Sequence, residues 1–123
     1  GLGEAAKMGA VSGSLNQNGY VKIPVNGLNQ PLIIQWGTAS ASQVATVLNP
    51  NGWGQSQTVF KFPISFTSAC FSCTCSLFDG ATGSQWVIIA QTTSSTIIGA
   101  NALFHSVYLP ERKPILKYIC VGI

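Results

Sequence analysis

Few side chains in this chain could do covalent, metal or acid–base chemistry. Cys70, Cys73 and Cys75 crowd together and Cys120 stands apart. His105 is the single histidine, and the carboxylates are Glu4, Asp79 and Glu111. Zinc would need the thiolates of a Cys-x-x-Cys-x-Cys run to converge, normally across a tight knuckle. On a strand, Cys73 and Cys75 instead project to one face and Cys70 to the other. The cysteines therefore read as packed thiols that behave as small hydrophobes. A bond from Cys120 to one of the other three stays open, because sequence does not fix connectivity. No metal and no cofactor is expected.

Acid–base chemistry is no better served. Glycoside hydrolysis generally takes two placed carboxylates. Glu4 lies in the leading segment, and Asp79, just before Gly80, reads as a turn residue. A Ser-His-Asp set can be drawn from any serine with His105 and Asp79, yet no nucleophile-elbow motif supports it. The chain is not expected to be an enzyme.

The elements that must position these groups are strands. Helical periodicity is nearly absent; the one candidate, GEAAKMG at 3–9, is short and flanked by glycines. A Gly/Ser/Asn-rich stretch, 10–18, follows it, so 1–18 reads as a connector and 19–123 as one β domain. Leu32 to Trp36 is a near-continuous apolar run, and Trp36 at its end is expected in the core. Over 57–62, Thr58, Phe60 and Phe62 share one face, with Val59 and Lys61 on the other. Over 69–78, Phe71, Cys73, Cys75 and Leu77 share a face opposite Ser72, Thr74 and Ser76. Asp79-Gly80 is a strong turn signal. Segments 85–91, 101–109 and 115–121 bring the total to about seven strands, and Pro63, Pro110 and Pro114 fall at strand ends, where a missing N–H is tolerated. The expectation is an all-β, antiparallel, sandwich-like domain. In the last strand Ile115, Lys117, Ile119 and Val121 point one way, and Leu116, Tyr118 and Cys120 the other. Both faces are largely apolar, so both need cover, from a second sheet or from neighbouring subunits.

Composition agrees. The chain has 123 residues, the length of one domain, with 46% apolar and only 7% charged residues. Ordinary soluble domains carry roughly a quarter charged. Such a surface is either rich in Ser, Thr, Asn and Gln or buried between subunits. The net charge of +3 comes mostly from Arg112, Lys113 and Lys117, a weak case for nucleic acid. No apolar run is long enough to insert in a membrane. A start at Gly1 rather than Met suggests processing or a longer parent chain.

Four segments carry a family resemblance. They are GLGEAAK at 1–7, GYVKIPVNGLNQPLIIQWG at 19–37, FKFPISFTSAC at 60–70 and YICVGI at 118–123. In this order they resemble the C-terminal tip domain of tail fibres from Mu-like and P2-like contractile-tailed bacteriophages and prophages. The extended 24–31 stretch and the final Ile123 depart from the usual family pattern without disturbing the frame. The resemblance implies a homotrimer at the fibre tip in the virion. It implies adsorption to a bacterial surface glycan, most often lipopolysaccharide, and a tail-fibre assembly chaperone as a further partner. A structural cap that registers the trimer is the alternative reading, and a glycan hydrolase a third.

Sugar recognition takes a flat aromatic ring against the pyranose C–H face and planar polar groups for the hydroxyls. Trp53, in a turn-rich segment with Asn49, Asn51 and Gln55, is the leading aromatic candidate; its bland alternative is packing over a sheet edge. Asp79, Gln85 and Trp86 form a second set, though Trp86 opens a strand and also suits packing. His105, Tyr108 and Arg112 form a third. Arg112 with Lys113 could meet lipopolysaccharide phosphates, while a lone strand histidine is more often hydrogen-bonded or exposed.

Overall fold

The computed structural model describes residues 10–43, 54–79, 88–106 and 112–123. Period-two alternation carries through most of them, and eight strands form among these residues. In chain order they are β1 (Ser12–Ser14), β2 (Gly19–Ile23), β3 (Leu32–Ser40), β4 (Gly54–Lys61), β5 (Cys70–Asp79), β6 (Ile88–Ser95), β7 (Gly99–Ser106) and β8 (Ile115–Gly122). All pairings are antiparallel. One sheet has five strands in the order β1-β2-β3-β8-β5, and the other has three in the order β4-β7-β6. The eighth strand, β1, lies within the stretch read as a connector and pairs with β2 from Ser12↔Lys22 to Ser14↔Tyr20. The helix candidate at 3–9 lies outside the described residues.

The sheets pack face to face over an aromatic core. Phe60 of β4 stacks on Tyr118 of β8 with ring centroids 4.5 Å apart. Phe62 and Phe66 join them edge-on, a favoured arrangement for aromatic pairs. Ile33, Ala39, Ala41, Leu116, Cys120, Ala100, Ala102 and Phe104 complete the buried set. Thr58, Phe60 and Phe62 are buried while Val59 is 66% exposed, as the alternation requires. Leu116, Tyr118 and Cys120 are buried in the same way. The turn from β2 to β3 uses Gly27 at φ 86°, a left-handed conformation that suits glycine, with Leu28 N–H donating to Val25 C=O.

Three expectations change. Trp36 is half-buried on the outer side of the five-stranded sheet, and Gln35 takes the core position at 0% exposure. Cys70 lies on the same side as Cys73 and Cys75, and all three pack against the core. Phe71, expected to share their face, is 61% exposed. The cause is a register shift between Cys70 and Ser72, which sets both Phe71 and Ser72 opposite Val121. A bulge of this kind reverses the inside-outside phase of everything before it. Finally, Cys73 and Cys120 are directly opposed in register and form a disulfide, so they are not packed thiols. Cys70 and Cys75 remain free and half-buried.

Candidate functional site

The Gln35-Trp36-Gly37 segment of β3 does structural work at each position. Gln35 Oε1 accepts a hydrogen bond from the backbone N–H of Ile64 at 3.1 Å, tying the sheet to the connection after β4. The Trp36 indole N–H donates to the Asn16 carbonyl at 2.9 Å and holds the β1–β2 turn against the sheet. Gly37 leaves room for the Tyr118 phenol: a Cβ there would lie 2.6 Å from its hydroxyl oxygen. These residues are frame.

Two sequence candidates, Gln55 and His105, lie near one end of the three-stranded sheet. Antiparallel register puts Gly54, Ser106 and Ile88 on a single rung across β4, β7 and β6. In the chain, segments 44–53 and 80–87 lead into this rung and segment 107–111 leaves it. Asn49, Asn51, Trp53, Gln85, Trp86 and Tyr108 belong to those segments and lie outside the described residues. The next rung inward is Gln55–His105–Ile89, on the face turned away from the core. Gln55 is exposed and His105 half-buried. Two candidates from distant parts of the sequence thus become cross-strand neighbours. Two rungs further in, the next on this face is Gln57–Leu103–Gln91, so amide side chains flank an apolar one.

Asp79 and Arg112 meet elsewhere, at the ends of β5 and β8. The Arg112 guanidinium donates from Nη2 to both carboxylate oxygens, at 3.0 and 3.1 Å. Asp79 is the last residue of β5, and its carboxylate serves this ion pair. Arg112 is exposed, so the pair is worth little to stability, about 0–1 kcal/mol.

A different surface lies on the outer side of the five-stranded sheet. Register sets Ile34 beside Val121 and Trp36 beside Ile119 on the central pair β3 and β8. Phe78 faces outward by the same alternation as Ser72, Thr74 and Ser76, and the second register shift in β5, between Leu77 and Asp79, follows it. Ile119 is 51%, Phe78 56% and Phe71 61% exposed. Lys117 places its ammonium over the Phe78 ring, 4.1 Å from the centroid, a cation–π contact.

Residues 27–122 match the family model described as "Putative tail fiber protein gp53-like, C-terminal". The chain belongs to this tail-fibre family. Solved structures of pyocin fibres share the fold. An N-truncated R1-type pyocin tail fibre superposes with a TM-score of 0.68 at 18% identity, covering 93% of this chain and 86% of that one. A C-terminal piece of the Pseudomonas aeruginosa R1 pyocin fibre gives 0.70 at 19% identity, covering 93% of this chain and 28% of that one. An uncharacterized protein of Escherichia coli (strain K12), StfP, is 40% identical over 72 residues, or 57% of this chain. The tail-fibre domain spans only 31% of the length of that relative.

For a tail-fibre domain, the sequence candidates divide cleanly. The Gln-Trp-Gly frame and the Phe62–Phe66 pair, both inside the matched region, hold the sheets together. The candidates at 44–53, 80–87 and 107–111 precede or follow Gly54, Ile88 and Ser106 in the chain. Ile89, Gln57, Leu103 and Gln91 were not singled out by sequence reasoning, because only strand register makes them neighbours of Gln55 and His105. Phe71 escaped for another reason: a bulge leaves no mark in an apolar pattern.

Proposed function

We propose that this chain is the distal receptor-binding tip of a tail fibre, working in the virion as a homotrimer. It holds a bacterial surface glycan of the lipopolysaccharide class and does not cleave it. One observation carries the reading. The three segments bearing Asn49, Asn51 and Trp53, then Gln85 and Trp86, then Tyr108, enter or leave at a single rung. Beside that rung stands the outward row Gln55–His105–Ile89. The Gln55 amide beside the His105 imidazole, with indoles in the adjoining segments, supports the reading, because these are the groups pyranose recognition uses. Phosphates of the glycan would meet Arg112 and Lys113.

The non-enzymatic reading is supported by the carboxylates. Asp79 is engaged by Arg112, whereas a hydrolase needs a second carboxylate placed a few ångströms from the first. A tail-fibre assembly chaperone is the further partner in this reading. The alternative role, a cap that registers the trimer, is favoured by the apolar outer face of the five-stranded sheet, and one domain can do both.

The test is adsorption of the purified chain to cells and to purified lipopolysaccharide. Trp53→Ala is expected to weaken adsorption at least tenfold while the assembled mass stays unchanged. Absence of binding by the unaltered chain at high concentration sinks the receptor role. Release of oligosaccharide on incubation overturns the non-enzymatic reading.

A further inference from the structure

We infer that the outer face of the five-stranded sheet is the surface on which this chain meets further copies of itself. The inference rests on the fibre-subunit reading above and adds the face, the residues and the occupant.

The solvent side of an antiparallel sheet normally alternates to polar residues. Here the two central strands break that rule on consecutive rungs, with Ile34 beside Val121 and Trp36 beside Ile119. Ile119 stands in an interior strand of the sheet, paired on both sides, and is still 51% exposed. On β5, Phe71 lies at one end of this row, turned out by the first bulge, and Phe78 at the other. A contiguous apolar patch on this scale marks a contact surface rather than a water-facing one.

Charge selects the occupant. Lys117 is the cation on the β8 rows of this face, and its ammonium lies on the Phe78 ring. The remaining outward residues of β5 between the bulges are Ser72, Thr74 and Ser76, small hydroxyls that leave the surface flat. A glycan would need planar amides or carboxylates among the apolar groups, and the carboxylate these rows offer, Asp79 opposite Ile115, is held by Arg112. A flat, largely apolar face whose β8 cation already lies on a ring suits a contact between identical subunits, in a trimer by packing on a different patch of the next copy. Five strands at ordinary spacing and rise cover roughly 600 Å² in projection. That approaches the ~800 Å² per partner of a standard interface.

Light scattering on the 123-residue chain and two variants tests the face. Ile119→Glu buries a charge if the face is an interface, whereas Val59→Glu puts the same charge on the outer face of the other sheet. The expected result is an assembled wild type, an assembled Val59→Glu and a single-chain mass for Ile119→Glu with its strand circular dichroism retained. Should Ile119→Glu unfold, the pair Phe71→Ser and Phe78→Ser, which removes exposed rings, is expected to raise the dissociation concentration at least tenfold. An Ile119→Glu chain that stays assembled, an unchanged double-serine variant, or dissociation by Val59→Glu in its place overturns the assignment of the face. A wild type of single-chain mass overturns the assembled-fibre reading itself, and the two failures are therefore distinct.

Discussion

Gln35 and Ile64 are joined by a buried hydrogen bond: the side-chain oxygen of the first accepts from the backbone N–H of the second at 3.1 Å. Gln35 has no exposure to solvent. Removing it strands the Ile64 N–H and opens a cavity between the sheets. Gln35→Ala is expected to cost about 2–4 kcal/mol, read as a shift of the urea midpoint without a change of slope. A loss below the resolution of that measurement would contradict the role given to this bond.

Gly37 and Tyr118 share one space. A Cβ at Gly37 would sit 2.6 Å from the Tyr118 hydroxyl oxygen and 2.5 Å from Asn18 Oδ1. Gly37→Ala is expected to destabilise by about 1–3 kcal/mol, the usual range for overpacking. Tyr118→Phe in that background should recover part of the loss. The recovery is partial because the ring carbon Cζ, at 2.9 Å from the added methyl, stays in place. A double-mutant cycle with no coupling would refute the shared space.

The Cys73–Cys120 disulfide links the edge strand β5 to β8 across a separation of 47 residues. Restricting the unfolded chain by a loop of that size is worth about 4 kcal/mol in the chain-entropy view. Reduction should therefore lower the melting temperature on the order of 10–15 °C. Alkylation followed by mass spectrometry should find two reactive thiols, Cys70 and Cys75, before reduction and all four cysteines after it. Four alkylated thiols in the untreated, denatured protein would show that the bond does not form.

Burial pushes the Tyr118 phenol above its ordinary value of 10.0. The fold thus favours the neutral phenol, and at high pH the unfolded chain releases its proton first. The resulting stability is complete below about pH 10 and is lost as pH rises through the folded value. Urea midpoints of the wild type should fall above pH 10, and Tyr118→Phe should flatten that fall. Parallel wild-type and variant profiles would place the alkaline sensitivity elsewhere.

Strand pattern reaches the core of this protein because burial follows period two: Thr58, Phe60 and Phe62 go inside, and so do Leu116, Tyr118 and Cys120. It fails where hydrogen bonding rather than apolarity decides. Gln35 displaces Trp36 from the interior because its carbonyl meets a backbone donor there. The first bulge in β5 turns Phe71 outward while Cys70 moves in. Ser12–Ser14 carries no strand signal of its own and becomes β1 because β2 offers it an edge. The site is legible only as separate loops, since the meeting of Gln55 with His105 is a property of register.

The position of β8 between β3 and β5 has a consequence for the chain as it leaves the ribosome. β3 emerges early and waits with one edge unpaired while the whole three-stranded sheet is synthesised. β5, whose pairing partner in the sheet is β8, waits with both edges unpaired, and both strands carry apolar side chains. Such open edges recruit other strands. The interval before β8 arrives is therefore the vulnerable period in the life of this protein, and the last strand made is the one that ends it.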